Sequence, residues 1–122
     1  MRSLVQRKER LAKALESLLT ELNECIVVVE GKRDVRALNR IGVRSQVVVL
    51  DAIGKMDLHM GMRFVVLTDF DAAGEVKLRK AESILAGFHI MPDNELRQRF
   101  RRLFGVRTIE DVPSAFESFV IK

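Results

Sequence analysis

Three short β-branched runs punctuate this chain, each apolar on both faces: Cys25-Ile26-Val27-Val28-Val29, Val47-Val48-Val49-Leu50 and Phe64-Val65-Val66-Leu67-Thr68. Runs of this kind suit strands covered on both sides, as in a parallel sheet sandwiched between helices. The stretches between them change period. Leu4, Leu11, Leu15, Leu18 and Leu22 recur by sevens, threes and fours, which predicts an N-terminal amphipathic helix with Lys8, Glu9, Arg10, Lys13 and Glu16 on its other faces. Val35, Leu38 and Ile41 predict a helix over 33–41 that stops at Gly42. Ala73 to Leu85 is helical and closes at Gly87. Asp93 reads as the N-cap of a last main helix whose apolar face is Leu96, Phe100, Leu103 and Phe104.

Residues 51–61 hold two glycines and mixed character, which predicts a loop with at most a short helix. Phe88-His89-Ile90-Met91, just before Pro92, is expected as a fourth strand. Residues 108–119 predict one more short helix, interrupted by Pro113. Strands alternating with helices imply βαβ units with right-handed crossovers. The expectation is one doubly wound α/β domain over 1–122, with about four mainly parallel strands flanked by helices. Residues 1–22 form its leading helix, 23–91 its core and 92–122 a helical C-terminal segment.

Composition narrows the function classes. A length of 122 residues suits one domain, and a hydrophobic fraction of 48% suffices for one core. The net charge of +4 and pI near 9.6 favour an anionic partner. Cys25, the single cysteine, has no internal disulfide partner and reads as a small core residue. The first residues turn charged at once, and no window approaches the roughly 18 apolar residues of a membrane span. The chain is expected to work in the cytoplasm, away from membranes.

An acid follows each run: Glu30 the first, Asp51 the second and Asp69 the third, with Asp71 two positions further on. In open α/β sheets the ligand site forms from loops at the carboxyl ends of the strands. In extended chain, residues i and i+2 point the same way, about 6–7 Å apart. If the first and third strands are neighbours, Glu30, Asp69 and Asp71 share one rim, where they repel unless a cation neutralises them. Oxygen donors suit Mg²⁺, or Mn²⁺ in its place. His59 and His89 are isolated, so no zinc cluster exists. Spacing alone leaves a second reading open, in which the acids are helix caps and Asp71 is the N-cap of the helix that follows.

Glu30-Gly31-Lys32-Arg33-Asp34-Val35 after an apolar strand resembles the first motif of the Toprim family, a Glu-Gly-x-x-Asp-apolar pattern. Leu67-Thr68-Asp69-Phe70-Asp71-Ala72-Ala73-Gly74 resembles the second, Asp-x-Asp-x-x-Gly. Order and separation both fit, and the likeness covers roughly residues 22–91. Topoisomerases, bacterial-type primases, OLD-type nucleases, the recombination mediator RecR and the bacterial 5S rRNA maturation nuclease share that domain. In length the chain is similar to small stand-alone archaeal Toprim proteins. The resemblance implies that Glu30 binds catalytic Mg²⁺ and serves as acid/base, that Asp69 bridges the metal sites, and that Asp71 completes the second. It implies further that Gly31 and Gly74 let the backbone pass close to metal and phosphate. Asp34 reads either as a brace of the Glu30 loop or as an ordinary first-turn acid.

Metal-bound carboxylates on nucleic acid support either hydrolysis or attack by a tyrosine hydroxyl. The chain has no Tyr, which excludes a covalent topoisomerase intermediate made by this chain alone, and it has no room for a primase's additional modules. Lys32 and Lys55 lie near the proposed rim and are expected to bind phosphate; Arg33 adjoins Lys32, and Lys77, Arg79 and Lys80 follow Asp71. Arg97, Arg99, Arg101 and Arg102 are expected on the non-core face of the last main helix, either for phosphate or simply for solvent. The resulting expectation is a Mg²⁺-dependent nuclease acting on RNA or DNA, with RNA favoured by the resemblance. The alternative is a non-catalytic Toprim module in a nucleic-acid-processing complex with a protein partner.

Overall fold

The computed structural model describes residues 3–120, so the ends of the expected 1–122 domain lie outside the described residues. Helix α1 (Leu4–Leu22) leads into strand β1 (Ile26–Val29), helix α2 (Lys32–Arg40) and strand β2 (Val47–Val49). A 3-10 helix at Leu50–Lys55 precedes β3 (Phe64–Val66) and α3 (Ala72–Ala86). The chain ends in α4 (Asn94–Phe104), a 3-10 turn at Ile109–Asp111, and α5 (Val112–Val120). The strands form one parallel sheet in the order β2-β1-β3, with Val27 beside Val47 and Val65, and Val28 beside Val48 and Val66.

The strand residues alternate between two apolar layers, which is why the runs read as apolar throughout. Val27, Val29, Val65 and Leu67 pack with Leu18 and Leu22 of α1, Leu38 of α2, and Leu96 and Phe100 of α4. Val28, Phe64 and Val66 pack on the other face with Ile53, Leu78, Ala81 and Leu85. Helices therefore cover both faces of a small α/β sheet. Cys25 is buried in the first layer, as its apolar neighbours imply.

Four expectations need correction. The first concerns residues 88–91, which are not a strand. The amides of Phe88, His89 and Ile90 turn back onto carbonyls of Leu85 and Ala86, and His89 takes a left-handed φ of 59°. A strand there would also find the outer edge of β3 occupied. Phe64 O accepts from the Asp93 amide at 2.8 Å, and Arg97 Nη1 donates to Val66 O and Thr68 O at 3.0 and 2.9 Å. The start of α4 thus supplies donors that a fourth strand would have brought, and the edge is closed without one. Among the described residues the sheet has three strands.

The second concerns Arg97, which sits not on a solvent face but 1% exposed, among the largest fully buried side chains. Its position three residues before Phe100 and seven before Phe104 places it inside the apolar stripe of α4. The third concerns the leucine stripe of α1. Leu15, Leu18 and Leu22 are buried, whereas Leu4 and Leu11 are exposed. Strands of three or four residues span only about 10–13 Å. A 19-residue helix spans about 28 Å, so its first half overhangs the sheet. The fourth concerns Pro113, expected to interrupt the last helix; it lies instead in the first turn of α5, where a missing N–H leaves no helical bond unmade.

Candidate functional site

Because β1 lies between β2 and β3, the chain leaves β1 towards one side and returns to the other. The carboxyl ends of β1 and β3 therefore flank the point where the strand order reverses, the usual crevice of such sheets. Glu30 stands at the first of these ends, half-buried. Its Oε2 accepts the backbone N–H of Asp69 at 2.7 Å, and its Oε1 pairs with Lys77 Nζ at 2.6 Å. The first and third runs are neighbours, and their terminal acids meet.

Asp69 is held from several directions. Its Oδ1 accepts the Ile109 amide at 3.0 Å, and its own carbonyl accepts Arg97 Nη2 at 3.3 Å. The loop that follows is tight: a Cβ built on Gly74 would lie 1.8 Å from the Asp69 carbonyl oxygen. The buried Thr68 hydroxyl donates to Gly74 O at 2.8 Å and fastens the loop's two ends. Asp71 is the N-cap of α3, its Oδ1 accepting the Gly74 amide at 2.7 Å. Gly31 differs from Gly74, since beyond its chain neighbours no protein atom crowds the Cβ position within 4 Å. Asp34 is buried and accepts the Gly31 amide at 3.1 Å, bracing the loop that carries Glu30.

The electrostatics tie these groups together. Burial, the largest cause, raises the pKa of Asp69; the Ile109 amide opposes it, and the charges of Glu30, Asp71 and Glu110 add to it. Burial likewise raises Asp34, opposed by the Gly31 amide and reinforced by Asp69, Glu30 and Glu110. Glu30 and Glu110 thus act on both Asp69 and Asp34, and Asp71 acts on Asp69. Lys77 is the cation bonded into the group, and Glu30 raises its pKa in return.

The rim brings together Glu30 and Asp69 by direct contact, and Asp71 and Asp34 by shared field. The expected phosphate binders Lys32 and Lys55 are exposed and bond to none of the carboxylates. Lys77, which the sequence marked only as one of several bases on its helix, reaches Glu30. Glu110 and the Ile109 amide come from the C-terminal segment and carried no sequence signal. Arg97 did carry one, a charge within an apolar stripe.

Among the described residues, no group of three His, Cys, Asp or Glu side chains is already arranged to grip a metal ion. Asp71 is a helix cap, as the second reading expects: it caps α3 through Oδ1, while its Oδ2 receives no hydrogen bond from a described residue. Asp69 Oδ2 is equally unclaimed. Mg²⁺ takes one or two protein carboxylates and fills its shell with water or phosphate oxygens. The donor chemistry fits a hard divalent ion, with Glu30 engaged by Lys77.

No helix among the described residues is long and apolar enough to cross a membrane. No family profile matches the chain. A UPF0292 protein of Methanosarcina barkeri is 32% identical over 112 residues, covering 84% of this chain and 78% of that protein. One from Thermococcus onnurineus is 32% identical over 108 residues, covering 82% and 81%. Among solved structures, a putative protein from Aquifex aeolicus aligns with a TM-score of 0.65 over 91% of this chain and 99% of that one. At 22% identity this likeness speaks to the fold alone. The extent and identity of the Methanosarcina match show that this chain belongs to the UPF0292 family.

Proposed function

We propose that the chain is a Toprim-type protein that acts on nucleic acid with Mg²⁺, or Mn²⁺ in its place, and that it hydrolyses phosphodiesters, RNA in preference to DNA. The observation that carries this reading is the bond between Glu30 Oε2 and the Asp69 amide, which sets both strand-end acids, with Asp71 close by, at the crevice of the sheet. Asp69 and Asp71 would hold the ion through their unclaimed Oδ2 atoms, with Glu30 as the third carboxylate. Once bound, the ion would polarise the phosphoryl oxygen, activate water and stabilise the leaving oxyanion. Glu30 is placed to take or return a proton at Oε1 once Lys77 releases it. Lys77 then neutralises phosphate, and Lys32 and Lys55 extend the basic surround. The Arg97 and Ile109 contacts hold the Asp69 loop still. The buried, lone Cys25 suits the reducing cytoplasm.

The second reading, a non-catalytic Toprim module within a nucleic-acid complex, draws support from the same rim. All three acids already serve protein donors, and no preformed three-ligand group is present among the described residues. One assay separates the two. Labelled structured RNA, single-stranded DNA and duplex DNA are incubated with Mg²⁺, Mn²⁺ or EDTA, using wild type and Asp69→Ala. Cleavage that needs metal and is lost in the variant supports the enzyme. Binding without cleavage, unaffected by EDTA, supports the module.

A further inference from the structure

The exposed face of α2 carries Lys32, Arg33, Arg36 and Arg40, while the helix's single acid, Asp34, is buried and turned to Gly31. Arg33, Arg36 and Arg40 follow one another at i, i+3 and i+7 and so form one stripe. With Ala37, Glu110 and Pro113 they line a concavity of about 210 Å³. We propose that this groove seats the phosphodiester backbone of a nucleic acid and leads it to the carboxylate rim. The partner class rests on the function proposed above; the location does not.

Elsewhere three arginines are matched with acids, while Arg7, Arg10, Arg44, Arg79, Arg101, Arg102 and Arg107 pair with none among the described residues. Arg63 meets Glu21, Glu24 and Asp93, Arg99 pairs with Glu21, and Arg97 meets Glu75. On the α2 stripe only Arg33 has a carboxylate, Glu110, at 3.9 Å. Arg36 and Arg40 pair with no acid among the described residues. Like charges at helical-neighbour spacing oppose the helix, and within the fold only the Arg33–Glu110 contact and the place of Arg40 in the last turn offset this. An anion threading the groove would offset the repulsion, and guanidinium forks are suited to gripping phosphate oxygens two at a time.

Two features select nucleic acid over an anionic membrane surface. The groove's apolar lining is only Ala37 and Pro113, with no large side chain to insert into lipid. Its acidic wall, Glu110, directly follows Ile109, whose amide donates to Asp69 Oδ1 at 3.0 Å, so the groove opens beside the rim. With no aromatic in the lining, bases have no stacking platform, and recognition is of backbone charge rather than sequence.

The test measures binding alone, in EDTA, by fluorescence anisotropy of labelled mixed-sequence single-stranded RNA, single-stranded DNA and duplex DNA across a KCl series. Arg36→Gln/Arg40→Gln is compared with wild type and with Arg7→Gln/Arg10→Gln on the far half of α1, circular dichroism verifying each fold. The groove variant is expected to bind less tightly, with the slope of log K against log salt shallower by about 1.4 to 1.8, and single Arg40→Gln by about half that. The α1 variant keeps the wild-type slope. A wild-type slope in the groove variant, or absence of nucleic-acid binding by the wild type, overturns the proposal. So does Arg36/Arg40-dependent binding to phosphatidylserine vesicles without binding to nucleic acid. Because no cleavage is read, a groove that binds beside an inert rim upholds this inference while refuting the hydrolase.

Discussion

The carboxylate of Glu30 and the backbone amide of Asp69 lie 39 residues apart in the chain and 2.7 Å apart in space. That bond joins the ends of two adjacent parallel strands and sets an acid side chain against the peptide that carries the next acid. It makes the rim a unit, so a change at one acid is felt by the others.

Asp69→Asn tests this electrostatic unit. Asn keeps an oxygen for the Ile109 amide and removes the charge. Asp69 has a raised folded-state pKa, so between the ordinary carboxylate value and that raised value the folded protein binds more protons than the unfolded chain. Its ionisation therefore lowers stability as pH rises through this window, and the cost persists at neutral pH. The variant should be more stable than wild type at pH 7, by at most about 1 kcal/mol or a few degrees of Tm, with the difference shrinking on acidification. Thermal melts at pH 4 and pH 7 check it; a less stable variant at pH 7 refutes the account. Mn²⁺ should raise the Tm of wild type and not that of the variant.

Lys77→Met releases Glu30 Oε1 from its present partner. If the ammonium holds the place of a metal cation, Mn²⁺ should bind the variant a few-fold more tightly, read by calorimetry or electron paramagnetic resonance. Unchanged or weaker binding would show that Lys77 and the ion do not compete.

The two motif glycines should respond differently. Gly74→Ala drives a methyl into the Asp69 carbonyl, which is backbone and cannot step aside, so the 69–74 loop must shift. A loss of about 3 kcal/mol or more is expected, with the capping bond from Asp71 disturbed. Gly31→Ala meets open space at an extended φ of −154° and should cost less than about 1 kcal/mol. Urea unfolding midpoints of the pair decide it.

Arg97→Met should be among the most damaging single changes. It leaves the carbonyls of Val66, Thr68 and Asp69 without the guanidinium and removes its stacking on Phe70 at 4.6 Å. A loss of about 3–5 kcal/mol is expected by chemical denaturation. A near-neutral result would mean that α4 closes the β3 edge without it.

Asp93→Ala removes the N-cap of α4 together with a partner of Arg63. A cost of about 1–2 kcal/mol is expected at pH 7. The Leu96 amide, the first cause, and Arg63 hold the Asp93 pKa below its ordinary value. That contribution is present above the ordinary carboxylate pKa and disappears as pH falls through the depressed one, so the variant and wild type should converge in strong acid.

Most of the elements were legible along the chain, since strand and helix periods, caps and turn residues act over a few neighbouring positions. The sequence therefore yielded the alternation of strands and helices, the placement of Glu30 and Asp69 at strand ends, and the Asp71 and Asp93 caps. Tertiary structure alone decided the rest. The order β2-β1-β3 made Glu30 and Asp69 neighbours, because pairing depends on how distant crossovers return and not on the strands' own residues. Whether residues 88–91 became a strand depended on a vacant edge at β3, which the Asp93 amide and Arg97 had already filled. Lys77 became the partner of Glu30, and Lys32 did not, because packing α3 on the sheet carries that side chain to the rim, a matter of three-dimensional reach that proximity along the chain does not encode.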